Sequence, residues 1–170
     1  MKVVGVDLAG KQENATGFCL LITPGKEVPL GRTMTKLLST DIEIMREIDE
    51  AKPDCIAIDA PFWLPPDIGG KMQPWRNSEL VLMKKGYRPI STALPTMKIL
   101  ALRAMKLIRE LREKGYRAIE VFPAATENIL GISKQPRKNQ DEYDALLCAL
   151  TAKMYLDGRY EDIGGIVIPK

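Results

Sequence analysis

Two short apolar runs in this chain each end on an acid: VVGVDLAG at positions 3–10 and CIAIDAP at 55–61, whose only charges are Asp7 and Asp59. Bounded by glycine or proline, both read as buried strands. An ionised carboxylate taken out of water is costly even after relaxation, so each of these acids must be paired, hydrogen-bonded, protonated or bound to a metal. A third stretch, DEYDALLCAL at 141–150, opens a helix with Asp141 and Asp144 three apart, which stacks both side chains on one face. Four carboxylates from three distant segments can therefore converge.

The surrounding pattern predicts an α/β fold. Strands at 2–9, 15–23 and near 28–35 are separated by short turns and read as an antiparallel meander. A helix at 40–51 and a strand at 54–60 follow, then an irregular, apolar connection over 61–76. Helices at 76–85, 95–114 and 124–130, a strand at 117–122, a helix at 140–157 and a short strand at 165–168 complete a mixed sheet, three antiparallel strands followed by parallel ones, flanked by helices. No repeat or linker divides residues 1–170, which are expected to form a single domain. Ala145, Cys148, Ala149 and Ala152 are small enough for the last helix to lie close against the sheet, its acids pointing inward.

Composition removes several chemistries. There is no histidine, so the usual general base, the Ser-His and Cys-His nucleophile pairs and nearly all zinc sites are excluded. The three cysteines, Cys19, Cys55 and Cys148, sit in apolar patterns without CxxC spacing and read as inert core residues. No run is long and apolar enough for a membrane span and no secretory leader is evident, so the expectation is a cytoplasmic protein without a membrane partner. Net charge is +3, unevenly placed: residues 67–140 hold 15 Lys/Arg against 6 Asp/Glu, the remainder 10 against 16. A cationic surface beside an acidic pocket suits a metal-dependent enzyme acting on a polyanion such as DNA or RNA. The bland alternative is the solvated face of an amphipathic helix carrying Lys106, Arg109, Arg112 and Lys114.

Carboxylates at rigid strand ends suit Mg2+ or Mn2+, hard cations that take oxygen ligands. Asp7, Asp59, Asp141 and Asp144 are the candidate catalytic residues; Asp7, Asp59 and Asp144, with Glu120 from a further strand end, are the candidate metal ligands. Each has a structural alternative: Asp7 bonding the 10–14 turn, Asp59 forming a turn before Pro61, Asp141 capping its helix or favouring its dipole, Glu120 pairing with Arg117 or Lys98. Lys71, Arg76, Lys98, Arg137 and Lys138, in or beside irregular segments, are the candidate substrate contacts. Trp63 and Trp75 either stack on bases or pin their own loop to the core.

The segments GVDLAG, ATGFCLL, AIDAPFWLP, RNSELVLMKKGYRP, EVFPAATENILG, DEYDALLCALTAKMYLDG and GGIVIP, in this order along the chain, resemble a predicted nuclease family with a ribonuclease-H-like fold, domain-of-unknown-function family four-two-nine. More distantly the chain is similar to Holliday-junction resolvases, which place one acid on the first strand, one on the fourth and an Asp-x-x-Asp-Ala-Leu pattern on the last helix; Asp7, Asp59, Asp141 and Asp144 match those positions. The chain departs from the family at Arg76-Asn77-Ser78-Glu79, where many relatives resemble Arg-x-Cys-Asp. The resemblance implies a metal-dependent nuclease, and the resolvases' dimers imply a homodimer. Two other classes stay open: a nucleic-acid-binding or scaffold domain without turnover, and an actin-like ATPase suggested by GVDLAG followed by ATG. Length opposes the latter, which ordinarily needs two such domains.

Overall fold

The computed structural model describes residues 1–24, 31–132 and 139–170. Nine strands and five helices among these residues follow the order β1 (Lys2–Asp7), β2 (Thr16–Ile22), β3 (Arg32–Leu38), α1 (Asp41–Ala51), β4 (Cys55–Asp59), β5 (Asp67–Ile68), β6 (Lys71–Met72), α2 (Asn77–Lys84), α3 (Pro95–Glu113), β7 (Ala118–Val121), α4 (Pro123–Ile129), α5 (Gln140–Leu156), β8 (Tyr160–Ile163) and β9 (Ile166–Pro169). Seven strands form one sheet in the order β3-β2-β1-β4-β7-β9-β8. The first three are the expected antiparallel meander, while β4, β7 and β9 run parallel to β1 and β8 returns antiparallel at the far edge. The mixed α/β architecture read from the sequence is thus the one observed.

Local chemistry sets the element ends. Thr40 and Glu43 make a reciprocal capping box at the start of α1: Thr40 Oγ1 accepts from Glu43 N, and Glu43 accepts from Thr40 N. Pro95 opens α3, where its missing N–H is no loss, and Gly115 follows that helix at φ +84°, a conformation glycine adopts freely. Asn139, rather than Asp141, caps α5 by accepting from Glu142 N.

Side-chain alternation divides the sheet into two faces. Val4, Val6, Ile56 and Ile58 pack with Ile44 and Ile48 of α1 and Ala104, Leu107 and Leu111 of α3. On the other face Val3, Cys55 and Ala57 pack with Ala145, Cys148, Ala149 and Ala152 of α5. The three cysteines are buried free thiols, as read from the sequence. No helix among the described residues is long and apolar enough to cross a membrane. The sequence pattern missed β8 and the small β5–β6 hairpin inside 61–76, and it set the third strand near 28–35 instead of Arg32–Leu38. The six residues Arg32–Leu37 of β3 are all exposed, so no buried face imposes an alternation there.

Candidate active site

Asp7 and Asp59 are register partners at the C-terminal ends of the neighbouring parallel strands β1 and β4. Each lies two residues beyond a position packed under α5, Gly5 and Ala57, so both belong to the α5 face. Two glycines then bring the helix down onto them. A methyl group at Gly5 would stand 2.0 Å from the Ala145 carbonyl oxygen and 2.4 Å from Ala149 N. At Gly17, the register partner of Asp7 on β2, it would stand 1.9 Å from the Asp141 carbonyl oxygen. Neither glycine stood out as a site residue in the sequence, although glycine inside a strand is itself a mark of close backbone approach.

The electrostatics report the crowding. Burial, then Asp144 and Asp141, raise the Asp7 pKa to about 7. Asp59 is pushed well above the ordinary carboxylate range by burial first, then by Asp7, Asp144 and Glu120. Asp144 of α5 therefore acts on both strand-end acids, and Asp141 acts on Asp7. Asp144 also accepts from Gln140 Nε2 at 2.8 and 2.9 Å, an orienting contact absent from the sequence reading.

Glu120 takes a different place from the one expected. Its register partner Ile58 and its neighbour Ala118 pack on the α1/α3 side, so Glu120 faces away from α5. There the Arg76 guanidinium grips it with two hydrogen bonds of 3.0 and 2.7 Å, and Phe62 N donates to it at 2.8 Å. This carboxylate is thus neutralised by Arg76, and not by Arg117 or Lys98. Arg76 in turn is not a free substrate contact: it is buried, its Nε donates to Glu79 at 3.0 Å and its Cζ lies 4.8 Å from the centroid of the Trp63 ring. Glu79 further accepts from Arg76 N and from the Thr92 hydroxyl. The Arg-x-x-Glu variation is therefore an ion pair within a buried network. Trp63 also covers Gly165, where a methyl group would stand 2.3 Å from the indole, so this tryptophan pins its own loop.

Lys71 is exposed on the β5–β6 hairpin and Lys98 on the first turns of α3, while Arg137 and Lys138 lie outside the described residues. Asp7, Asp59, Arg76, Glu79 and Glu120 line one cleft of 240 Å³ at the C-terminal ends of β1, β4 and β7. This is where open parallel sheets ordinarily bind ligands.

Among the described residues, no three acidic or cysteine side chains form a ready-made metal site. The donor set nevertheless fits a hard divalent cation. It is all carboxylate, and the ionised forms of Asp7 and Asp59 are disfavoured first by burial and then by the neighbouring acids, a cost that a bound cation would relieve.

No protein-family model matches the chain, and no curated protein matches it by sequence. Solved structures do. The Thermus thermophilus RuvC structure is 18% identical, covering 93% of this chain and 97% of its own, with a TM-score of 0.54. T. thermophilus RuvC in complex with Holliday junction substrate is 14% identical over the full length of both chains, also with a TM-score of 0.54. The likeness shows the fold: the mixed sheet and its helices have the ribonuclease-H-like arrangement of RuvC.

Proposed function

We propose that the protein is a divalent-metal-dependent nuclease that hydrolyses phosphodiester bonds of DNA or RNA. The observation that carries this reading is the register pairing of Asp7 with Asp59 under a helix that brings Asp144 into electrostatic contact with both and Asp141 into electrostatic contact with Asp7. Asp7, Asp59 and Asp144 would hold Mg2+ or Mn2+, and Asp141 would bind metal or orient the attacking water. Bound there, the cation would polarise the phosphoryl oxygen and lower the pKa of water. The chain's own part is positional: two carboxylates on hydrogen-bonded strands and two on one helical face are held by backbone contacts rather than by loops. Without histidine, proton transfer falls to carboxylates and water.

Cations of the 67–140 region outside the Arg76 network, Lys71 and Lys98 among them, would hold the phosphate backbone, together with Arg137 and Lys138. That RuvC has been solved with a Holliday junction supports nucleic acid as the partner. A homodimer belongs to the same reading. The test is cleavage of labelled single strands, hybrids and branched junctions with Mg2+ or Mn2+, compared with chelator. We expect Asp7→Asn and Asp59→Asn each to reduce turnover by at least about 100-fold, the scale of losing a preorganised electrostatic contact. Undiminished cleavage by Asp7→Asn would refute the assignment, and binding that survives chelator with no cleavage of any substrate would favour a non-catalytic binding domain.

A further inference from the structure

We infer that the cleft beside the acids receives a single unpaired nucleobase, so that the substrate is a nucleic acid with an unstacked nucleotide next to the phosphate that is cut. This rests on the nuclease reading and specifies its substrate.

The cleft has two unlike parts. Asp7 and Asp59 border it at the strand ends, while Pro61, Leu82, Ile90, Met97, Leu100 and Phe122 give it apolar walls. Among the described lining residues, Arg76 carries the positive charge, and its Nε and both Nη atoms already bond Glu79 and Glu120. The oxygens of Glu79 and Glu120 are likewise engaged, by Arg76, Thr92 and Phe62 N. Away from Asp7 and Asp59, a phosphate entering this space would meet the Glu79 and Glu120 carboxylates and a guanidinium already paired with both, which leaves no net positive charge to hold it. A flat, uncharged heterocycle would meet aliphatic and aromatic surface instead. At 240 Å³ the cleft is smaller than the roughly 300–1,000 Å³ of sites that enclose drug-sized ligands, a size suited to one base and not to a stacked pair. Ile90, 61% exposed, stands at this cleft as an uncovered apolar side chain for a base to pack against. A base in a duplex reaches such a pocket only by leaving its stack, which is least costly when it is already unpaired.

The experiment compares three labelled probes: a duplex with one unpaired nucleotide, the same duplex with the base removed from that nucleotide, and the fully paired duplex. Binding is read by fluorescence anisotropy in Mg2+ with the Asp144→Asn variant, whose change lies outside the cleft lining. We expect the unpaired base to strengthen binding about tenfold over both controls, the scale of one base sheltered against side chains. Met97→Trp, which fills the cleft, should abolish that difference while keeping the wild-type circular dichroism spectrum. Equal binding of base-bearing and abasic probes would overturn the inference, as would a natively folded Met97→Trp that keeps the preference. Base-dependent binding by a protein that cuts no substrate would sink the nuclease reading alone.

Discussion

At the scale of single residues, the acids and the Arg76 network answer opposite physical demands. Asp7 is held with a pKa of about 7, against 3.8 for an ordinary aspartate. Between those values the folded chain keeps a proton that the unfolded chain releases. Metal-free stability should therefore fall as pH rises from about 4 to about 7, by an amount on the order of a few kcal/mol from this group, and level off above. Asp7→Asn removes the ionisation. Its melting temperature in chelator should exceed that of the wild type at pH 8 and converge with it near pH 4; a difference that does not grow with pH would contradict the crowding. Mg2+ should narrow the gap by binding the folded wild type. Arg76 is the converse case. With Glu79 and Glu120 buried around it, Arg76→Met leaves two carboxylates without their cation and should cost roughly 3–5 kcal/mol in urea unfolding. The double variant Arg76→Met/Glu120→Gln should recover part of that loss, since one orphaned charge is gone.

Between elements, the site depends on how closely α5 lies on β1 and β2. Gly5 and Gly17 leave no room for a side chain because what they face is helix backbone, which cannot rotate away. Gly17→Ala should therefore lift the first turn of α5 from the sheet, destabilising the fold by about 1–3 kcal/mol and weakening Mn2+ binding measured by calorimetry. Unchanged Mn2+ affinity would show that Asp141 and Asp144 act independently of that contact. On the other face Arg103 of α3 ties three pieces together. It donates to Asp41 Oδ1 at 2.8 Å, to the Ala9 carbonyl at 2.6 Å and to the Ser39 carbonyl at 2.8 Å. Ala9 follows Asp7 by two residues, so this fork fixes the backbone leaving the first acid. Lysine cannot reach three divergent acceptors at once, and Arg103→Lys should lower turnover while α1 and α3 stay helical by circular dichroism.

Over the whole molecule, the excess of cations in residues 67–140 would set how the proposed polyanionic substrate is attracted. Some of them are already spent on structure: Arg76 and Arg103 are largely buried in ion pairs, and Lys85 and Lys114 bridge to Glu161 and Asp49. On the nuclease reading, the exposed cations among the described remainder, Lys71 and Lys98 with them, should make nucleic-acid binding fall at least about tenfold between 50 and 200 mM salt, and binding indifferent to salt would exclude backbone contact as its source.

How much of this was legible beforehand differs from residue to residue. An acid inside a two-faced apolar strand demands explanation wherever the chain goes, so Asp7 and Asp59 stood out from local pattern alone, as did the helical face shared by Asp141 and Asp144. Amphipathic α3 and the short apolar strands were equally plain, because their periodicity is a local record of burial. Glu120 was not, since its environment is set by which sheet face β7 turns toward α3 and by a cation 44 residues away. The β5–β6 hairpin, two residues a side, is too short to carry a period. The sequence by itself determined which segments become strands and helices and where charge must be compensated, for those follow from the cost of burying each side chain. Only the tertiary structure decided what compensates each charge, because register and helix approach join groups whose separation along the chain carries no trace of their meeting.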